Sequence, residues 1–187
     1  RAHFGDGQGS ADVDRVVLAV GMVPETSLAQ AAGIATGRGV VVDPDQVTSN
    51  PAVLAIGDAT ELRVGGVVRP RGEHWEAARL DGERAAATIL GAPRPAPTAG
   101  WFWTDRHGLH VEVVGEMAAG RLVVRGTLGS PPPFSAFAVR DGVVVGAVAV
   151  DDSKVVRAAR RLIDRAVPVD AEALADPSTD LRRLLRG

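Results

Sequence analysis

Six residues with three prolines among them, Ala92-Pro93-Arg94-Pro95-Ala96-Pro97, constrain this chain more than any other stretch. Proline fixes φ and carries no N–H, so neither a helix nor a central strand runs through such a segment. The 187 residues therefore divide into two halves, each with its own local code. Immediately before the divide lies the strongest helical signal. From Glu73 to Leu90, the residues Trp75, Ala78, Gly82, Ala85, Ala86, Ile89 and Leu90 recur at helical spacing on a face of mostly small side chains. Gly91 then stops the helix.

Upstream of that helix the pattern is α/β. Val16–Val20 is an uninterrupted apolar run, the pattern of a strand buried on both faces, and Gly21 and Pro24 end it. Val40–Val42 and Val53–Ile56 read as two more buried strands, separated by the polar turn Asp43–Pro51. Leu28–Ala32 reads as a short helix stopped by Gly33. Arg1–Phe4 and Asp14–Val20 are predicted to form a hairpin around Gly5-Asp6-Gly7-Gln8-Gly9-Ser10. That turn is not a dinucleotide-binding loop: its third glycine comes one residue early, and a strand follows rather than a helix.

Downstream, Leu109–Val114, Leu122–Leu128, Phe134–Arg140 and Val143–Val150 read as strands, with Asp141-Gly142 as a tight hairpin turn. A helix is predicted over Ser153–Ala166, with Val155, Val156, Ala159, Leu162 and Ile163 on one face, and a short one over Ser178–Leu185. This half is an antiparallel sheet with C-terminal helices, an α+β arrangement.

Composition excludes several classes of function. A formal net charge of −2 gives no general attraction to nucleic acid or to a membrane surface. No apolar run reaches the roughly 20 residues of a membrane span. The absence of cysteine rules out a disulfide framework, thiolate metal sites and a redox dithiol within these residues, and makes the cytoplasm the default compartment. The serines lack a G-x-S-x-G elbow, which leaves a hydrolase without support. His107 and His110, within Asp105-Arg106-His107-Gly108-Leu109-His110, match no metal-ligand spacing and read as solvated loop residues. The chain opens on Arg1-Ala2-His3-Phe4 rather than on Met, so residues preceding it are expected.

The informative stretch is Thr48-Ser49-Asn50-Pro51-Ala52-Val53-Leu54-Ala55-Ile56-Gly57-Asp58. An apolar run ends in a glycine followed at once by a carboxylate. Gly57 lets a ligand approach the backbone, and Asp58 offers acceptor oxygens where α/β sheets bind their ligands. Such an acceptor suits a ribose or polyol hydroxyl.

The stretch resembles the second flavin motif of the pyridine nucleotide–disulfide oxidoreductase superfamily. In that superfamily the aspartate holds a ribitol hydroxyl of FAD. Leu18-Ala19-Val20-Gly21-Met22-Val23-Pro24 resembles the superfamily's return from its NAD(P)H domain to its FAD domain, with Glu25 in place of the usual Asn. Glu73-His74-Trp75 and Trp101-Phe102-Trp103-Thr104-Asp105 resemble the ferredoxin/rubredoxin-reductase branch. The resemblance runs from about Asp12 to about Ile163. The disulfide-reductase alternative is weaker, since that branch carries a His-Pro dipeptide and this chain has none. A non-turnover flavoprotein module, similar to apoptosis-inducing factor, is the other alternative.

The resemblance implies a fold class: α/β, the C-terminal lobe of an FAD-binding Rossmann-like domain followed by an α+β interface domain. Residues 1–24 would end the NAD(P)H-binding domain, 25–97 form the second lobe of the FAD domain, and 98–187 form the C-terminal reductase domain. Both G-x-G-x-x-G loops would lie upstream, in the remaining N-terminal part of the enzyme. Gly21, Gly57, Asp58, Glu73, His74, Trp75 and Trp103 become the expected cofactor contacts, with FAD and NAD(P)H as cofactors. No catalytic side chain and no metal ligand is assigned. The helix beginning near Glu73 would point its partly positive N-terminus at the flavin's pyrimidine end. The expected partner is a ferredoxin-type iron–sulfur protein, steered by Arg157, Arg160, Arg161 and Arg165 on the solvent face of the Ser153–Ala166 helix.

Overall fold

The structure, a computed structural model, describes residues 1–5, 9–69 and 72–186. It opens on a small hairpin in which β1 (Ala2–His3) pairs antiparallel with β2 (Ser10–Ala11), Ala2 opposite Ala11. The hairpin is present, but its return strand is Ser10–Ala11 and not Asp14–Val20. The Asp6-Gly7-Gln8 tip of the expected turn lies outside the described residues.

The expected strand over Val16–Val20 does not form. Val17, Leu18 and Val20 are 88%, 81% and 89% exposed, and no described strand lies alongside them. β-branched residues favour a strand only when neighbouring strands take up the backbone hydrogen bonds and cover the side chains.

α1 (Ser27–Ala31) follows the expectation. β3 (Val40–Val42) then pairs in parallel with β4 (Thr60–Val64), and β4 turns back antiparallel into β5 (Val67–Val68). The turn between β4 and β5 is Gly65-Gly66, with φ of +57° and +81°, the two-residue geometry that suits the twist of a hairpin. Val53–Ile56 is not a strand. β3 pairs with β4 instead, and this run spends its N–H groups locally, Val53 on the Asn50 carbonyl and Ala55 on that of Gln46. Only a single bridge, Val47 to Leu54, remains of the expected ladder.

α2 (Trp75–Leu90) starts two residues later than its spacing predicts, because His74 takes the N-cap position and its ring Nδ1 accepts the Ala77 N–H at 3.2 Å. Its burial also differs from the apolar pattern. Trp75, Ile89 and Leu90 are 63%, 71% and 79% exposed, whereas Glu76 and Asp81 are buried together with Ala85 and Ala87. The proline segment that follows is pinned to the first half: Arg94 donates twice to the Asp45 carboxylate, at 2.7 and 2.6 Å, and Thr88 Oγ1 donates to the Asp45 carbonyl.

The second half is an antiparallel sheet of β6 (Trp101–Arg106), β7 (Leu109–Gly115), β8 (Arg121–Arg125), β9 (Phe134–Arg140) and β10 (Val143–Val150), in the order β6-β7-β10-β9-β8. β9 and β10 match their predicted bounds. β6, an aromatic stretch not predicted as a strand, forms the edge beside β7. His110 consequently lies within β7 and not in a loop, while His107 occupies the β6–β7 turn at φ +52°.

α3 (Ser153–Asp164) is capped by Asp152, whose Oδ1 accepts the Val155 N–H. It lays Val155, Val156, Ala159 and Leu162 onto the sheet, over a core in which Val114, Phe137, Ala147 and Leu174 are fully buried. α4 (Ala171–Ala175) was not anticipated. The predicted helix over Ser178–Leu185 reduces to turns and a single 3₁₀ turn at Leu184–Arg186. There Asp176 accepts the Ser178 N–H and Asp180 accepts the Arg182 N–H, local bonds that compete with a helix. Arg125 holds this tail in place by donating to the carbonyls of Leu174, Asp176, Pro177 and Thr179. The architecture is mixed α/β.

Leu162 is fully buried between α3 and the sheet. Leu162→Ala is expected to destabilise the fold by about 2–5 kcal/mol, measured by urea unfolding monitored through tryptophan fluorescence.

Candidate functional site

The turn Gly57–Ala59 joins an extended Ile56 to β4 and lies against α2. Gly57 is buried at φ +72°, a conformation that penalises any side chain, and a Cβ there would sit 3.6 Å from that of Ala78. Its N–H donates to Asp81 Oδ2 at 3.3 Å, and its carbonyl accepts Thr60 Oγ1 at 3.0 Å. Both peptide groups are therefore held, which fixes the direction of the next residue.

Asp58 is that residue. Its Oδ1 is fully enclosed and has no hydrogen-bond partner among the described residues. A buried acceptor left in that state costs about 1–3 kcal/mol, which a hydroxyl donor from outside the chain would recover. The arrangement fits a polyol such as the ribitol of FAD.

The N-terminus of α2 forms the second part of the site. His74 caps the helix and its ring lies 5.7 Å from that of Phe102. Trp75 meets Trp103 edge to face at 6.2 Å, and Trp103 stacks on Trp101 at 4.8 Å. The sequence-predicted residues thus fall into two aromatic sets, His74 with Phe102, and Trp75 with Trp103 and Trp101. Trp103 and Phe102 are 40% and 41% exposed, so each set reaches solvent. Glu73 is exposed just ahead of the cap. Gly21 is exposed as well, with open space for 4 Å around the position of a Cβ, so no close backbone approach within the described residues requires a glycine there.

A third feature escaped the sequence entirely. Glu76, in the first turn of α2, is 4% exposed and accepts Arg160 Nη1 at 2.8 Å and the Trp101 N–H at 3.1 Å. Arg160 Nε also donates to Thr98 Oγ1, and Asp164 accepts both Thr98 Oγ1 and the Ala99 N–H. Arg160 is consequently not a solvent-facing arginine. It bonds inward to α2, while Arg157, Arg161 and Arg165 are exposed as the amphipathic pattern predicts. Nothing in the spacing of α3 separates it from its neighbours; the distinction arises only when α2 packs against it.

On the sheet edge, Trp101 Nε1 donates to Glu112 Oε2 at 2.7 Å, and Glu112 is 5% exposed. His110 bridges two carboxylates, with Nδ1 2.7 Å from Asp105 and Nε2 3.4 Å from Glu112. The Asp105 hydrogen bond, opposed by partial burial and reinforced by the charges of Asp105 and Glu112, raises the His110 pKa above its ordinary value. Among the described residues no group of three His, Cys, Asp or Glu side chains is placed to hold a metal ion.

Two family descriptions match the chain: "Pyridine nucleotide-disulphide oxidoreductase" over residues 2–82 and "Reductase C-terminal" over residues 101–185. Neither match alone reaches half of the chain, but together they account for most of it, and the chain resembles the pyridine nucleotide–disulphide oxidoreductase family. This is a family of FAD- and NAD(P)H-dependent enzymes. Among similar proteins, the ferredoxin–NAD(+) reductase component of the biphenyl dioxygenase system of Paraburkholderia xenovorans is 38% identical over 92% of this chain and 43% of its own length. The corresponding component of the anthranilate 1,2-dioxygenase system of Burkholderia cepacia is 35% identical over 95% of this chain and 44% of its own. Among solved structures, the covalent putidaredoxin reductase–putidaredoxin complex contains a chain that superposes with a TM-score of 0.78. The identity is 28%, over 89% of this chain and 40% of that one. The chain thus spans less than half the length of the relatives it matches.

His110 supplies a pH dependence. Its folded pKa is raised, so its contribution to stability is complete below the ordinary value of 6.5 and is lost as pH rises through the folded value. Urea midpoints from about pH 5.5 to about pH 8.5 are expected to fall less in His110→Gln than in the parent protein.

Proposed function

We propose that this chain is the flavin-covering part of an FAD-containing NAD(P)H:ferredoxin reductase. The buried, unpartnered Oδ1 of Asp58 is the observation that carries this reading. Residues 1–24 would end the NAD(P)H-binding domain, 25–97 complete the FAD domain, and 98–187 form the interface domain. The phosphate-cradling loops would come from a segment before Arg1. Bound FAD supplies the exchange between two-electron nicotinamide chemistry and one-electron iron–sulfur chemistry. Everything else falls to side chains and backbone of the protein.

Asp58 accepts a ribitol hydroxyl, and Gly57 holds the turn that aims it. The first turn of α2 would direct its partial positive charge toward the flavin's pyrimidine end and favour the negative charge that reduction places there. His74 sets where that turn begins. Trp75 and Trp103, in contact and partly exposed, would form an aromatic border between the flavin and an incoming partner. No described helix is long and apolar enough to cross a membrane, and we place the enzyme in the cytoplasm.

Asp58→Ala in the full-length enzyme is expected to weaken FAD binding roughly ten- to a hundredfold, since a hydrogen bond to a charged group contributes about 1.5–3 kcal/mol. The check is flavin absorbance of the purified variant after exhaustive dialysis. Full occupancy would remove Asp58 from the site.

The partner surface follows from α3. Arg157 and Arg161, with Lys154, line a groove of about 560 Å³ whose other wall is Ser178–Arg182. These exposed cations would steer an acidic iron–sulfur protein, acting mainly on association rate. Arg157→Glu with Arg161→Glu is expected to slow electron transfer to ferredoxin at low ionic strength and to flatten its salt dependence. Unaltered rates across the salt series would leave the groove as ordinary surface.

A further inference from the structure

Glu76 is a buried carboxylate placed where a flavin-facing helix gains least from one. A negative side chain in the first turn of a helix is favourable for the helix itself, because it meets the positive end of the macrodipole. The same charge cancels part of the potential that the helix end presents to anything in front of it. Glu76 is nearly inaccessible, so water screens this cancellation poorly. Arg160 reverses it. Its guanidinium reaches from α3, 84 residues further along the chain, and bonds Glu76 Oε1 at 2.8 Å.

The arginine is itself held in register. Its Nε donates to Thr98 Oγ1 at 3.2 Å, and Thr98 Oγ1 in turn donates to Asp164 at 2.9 Å. Arg79, the other cation near Glu76, lies 3.9 Å away and is 40% exposed, so it neutralises less effectively. The Trp101 N–H takes the second carboxylate oxygen, which prevents Glu76 from turning away from its partner.

We propose that Glu76 and Arg160 are positioning residues that set the electrostatic potential at the N-terminus of α2, and through it the reduction potential of the bound flavin. The assignment rests on the flavin reading above. A pair that served only to join the two halves of the chain would affect stability but would leave the potential where it is.

The experiment is a spectroelectrochemical titration of the FAD-loaded full-length enzyme carrying Glu76→Gln, Arg160→Met, or both. Arginine stays protonated at all relevant pH. Glu76→Gln therefore leaves an uncompensated cation, and the equilibrium constant for two-electron reduction is expected to rise roughly tenfold, about 30 mV. Arg160→Met is expected to move it by a similar factor in the opposite direction, and the double variant to return close to the parent. Both single variants lose thermal stability under either hypothesis, so the opposed signs are the discriminating result. Single variants that shift the potential in the same direction, or not at all, overturn the assignment. If Arg160→Met does not fold, Glu76→Gln alone decides: an unmoved potential overturns it. Full-length parent protein unable to bind flavin overturns the flavin reading and the assignment together. Flavin bound at an unmoved potential overturns the assignment alone.

Discussion

The carboxylate of Glu76 is the constraint on which the arrangement of this chain depends. It lies under the first turn of α2, at the meeting of α2, the edge strand β6 and α3. An isolated buried carboxylate is costly, so the packing of these elements is coupled to the presence of Arg160. Removing the arginine strands a charge; removing the glutamate strands an arginine that is three-quarters covered. The aromatic border of Trp75, Trp101 and Trp103 sits beside this junction, since Trp101 supplies both a backbone donor to Glu76 and a ring to the stack. Asp81, a little more than one turn further along α2, repeats the device toward Gly57. One face of α2 thus orients both parts of the site with carboxylates rather than with apolar packing.

That face explains why α2 was only half legible. The helix itself was evident from its periodicity, and its end from Gly91. The buried side was not, because a helix whose inward face carries Glu76 and Asp81 and whose outward face carries Ile89 and Leu90 inverts the amphipathic rule within this chain. In the second half, where burial is decided by contacts inside the sheet, β9, β10 and the start of α3 were read correctly. There, the Asp141-Gly142 hairpin turn and the apolar face of the helix after it agree with the sheet they pack on. Val16–Val20 failed for the opposite reason. Its composition specifies what it would pack against, and nothing among the described residues packs there.

Within the site, Gly57 and Asp58 were legible because a tight turn requires a glycine and the carboxylate follows it directly. His74, Trp75 and Trp103 were legible as residue types, but the contacts of His74 with Phe102 and of Trp75 with Trp103 required β6 to be a strand, and an aromatic run after prolines gives no clear period. Glu76 and Arg160 carry no local signal at all. A glutamate in a first helical turn and an arginine among arginines are each the commonplace choice, and only tertiary packing makes them a pair.

The proline segment has a consequence of its own. Pro93, Pro95 and Pro97 would ordinarily mark a hinge, and joined units of this size swing relative to each other unless they are tied. Here Arg94 clasps Asp45 on one side, Asp164 holds Thr98 and Ala99 on the other, and Glu76 meets Arg160 between them. Three ties that do not lie along one short stretch of chain make a truss. Such a frame resists bending at the prolines more than the composition of the segment alone would. On the function proposed above, adaptation to an incoming protein would then fall to that protein and to the exposed side chains.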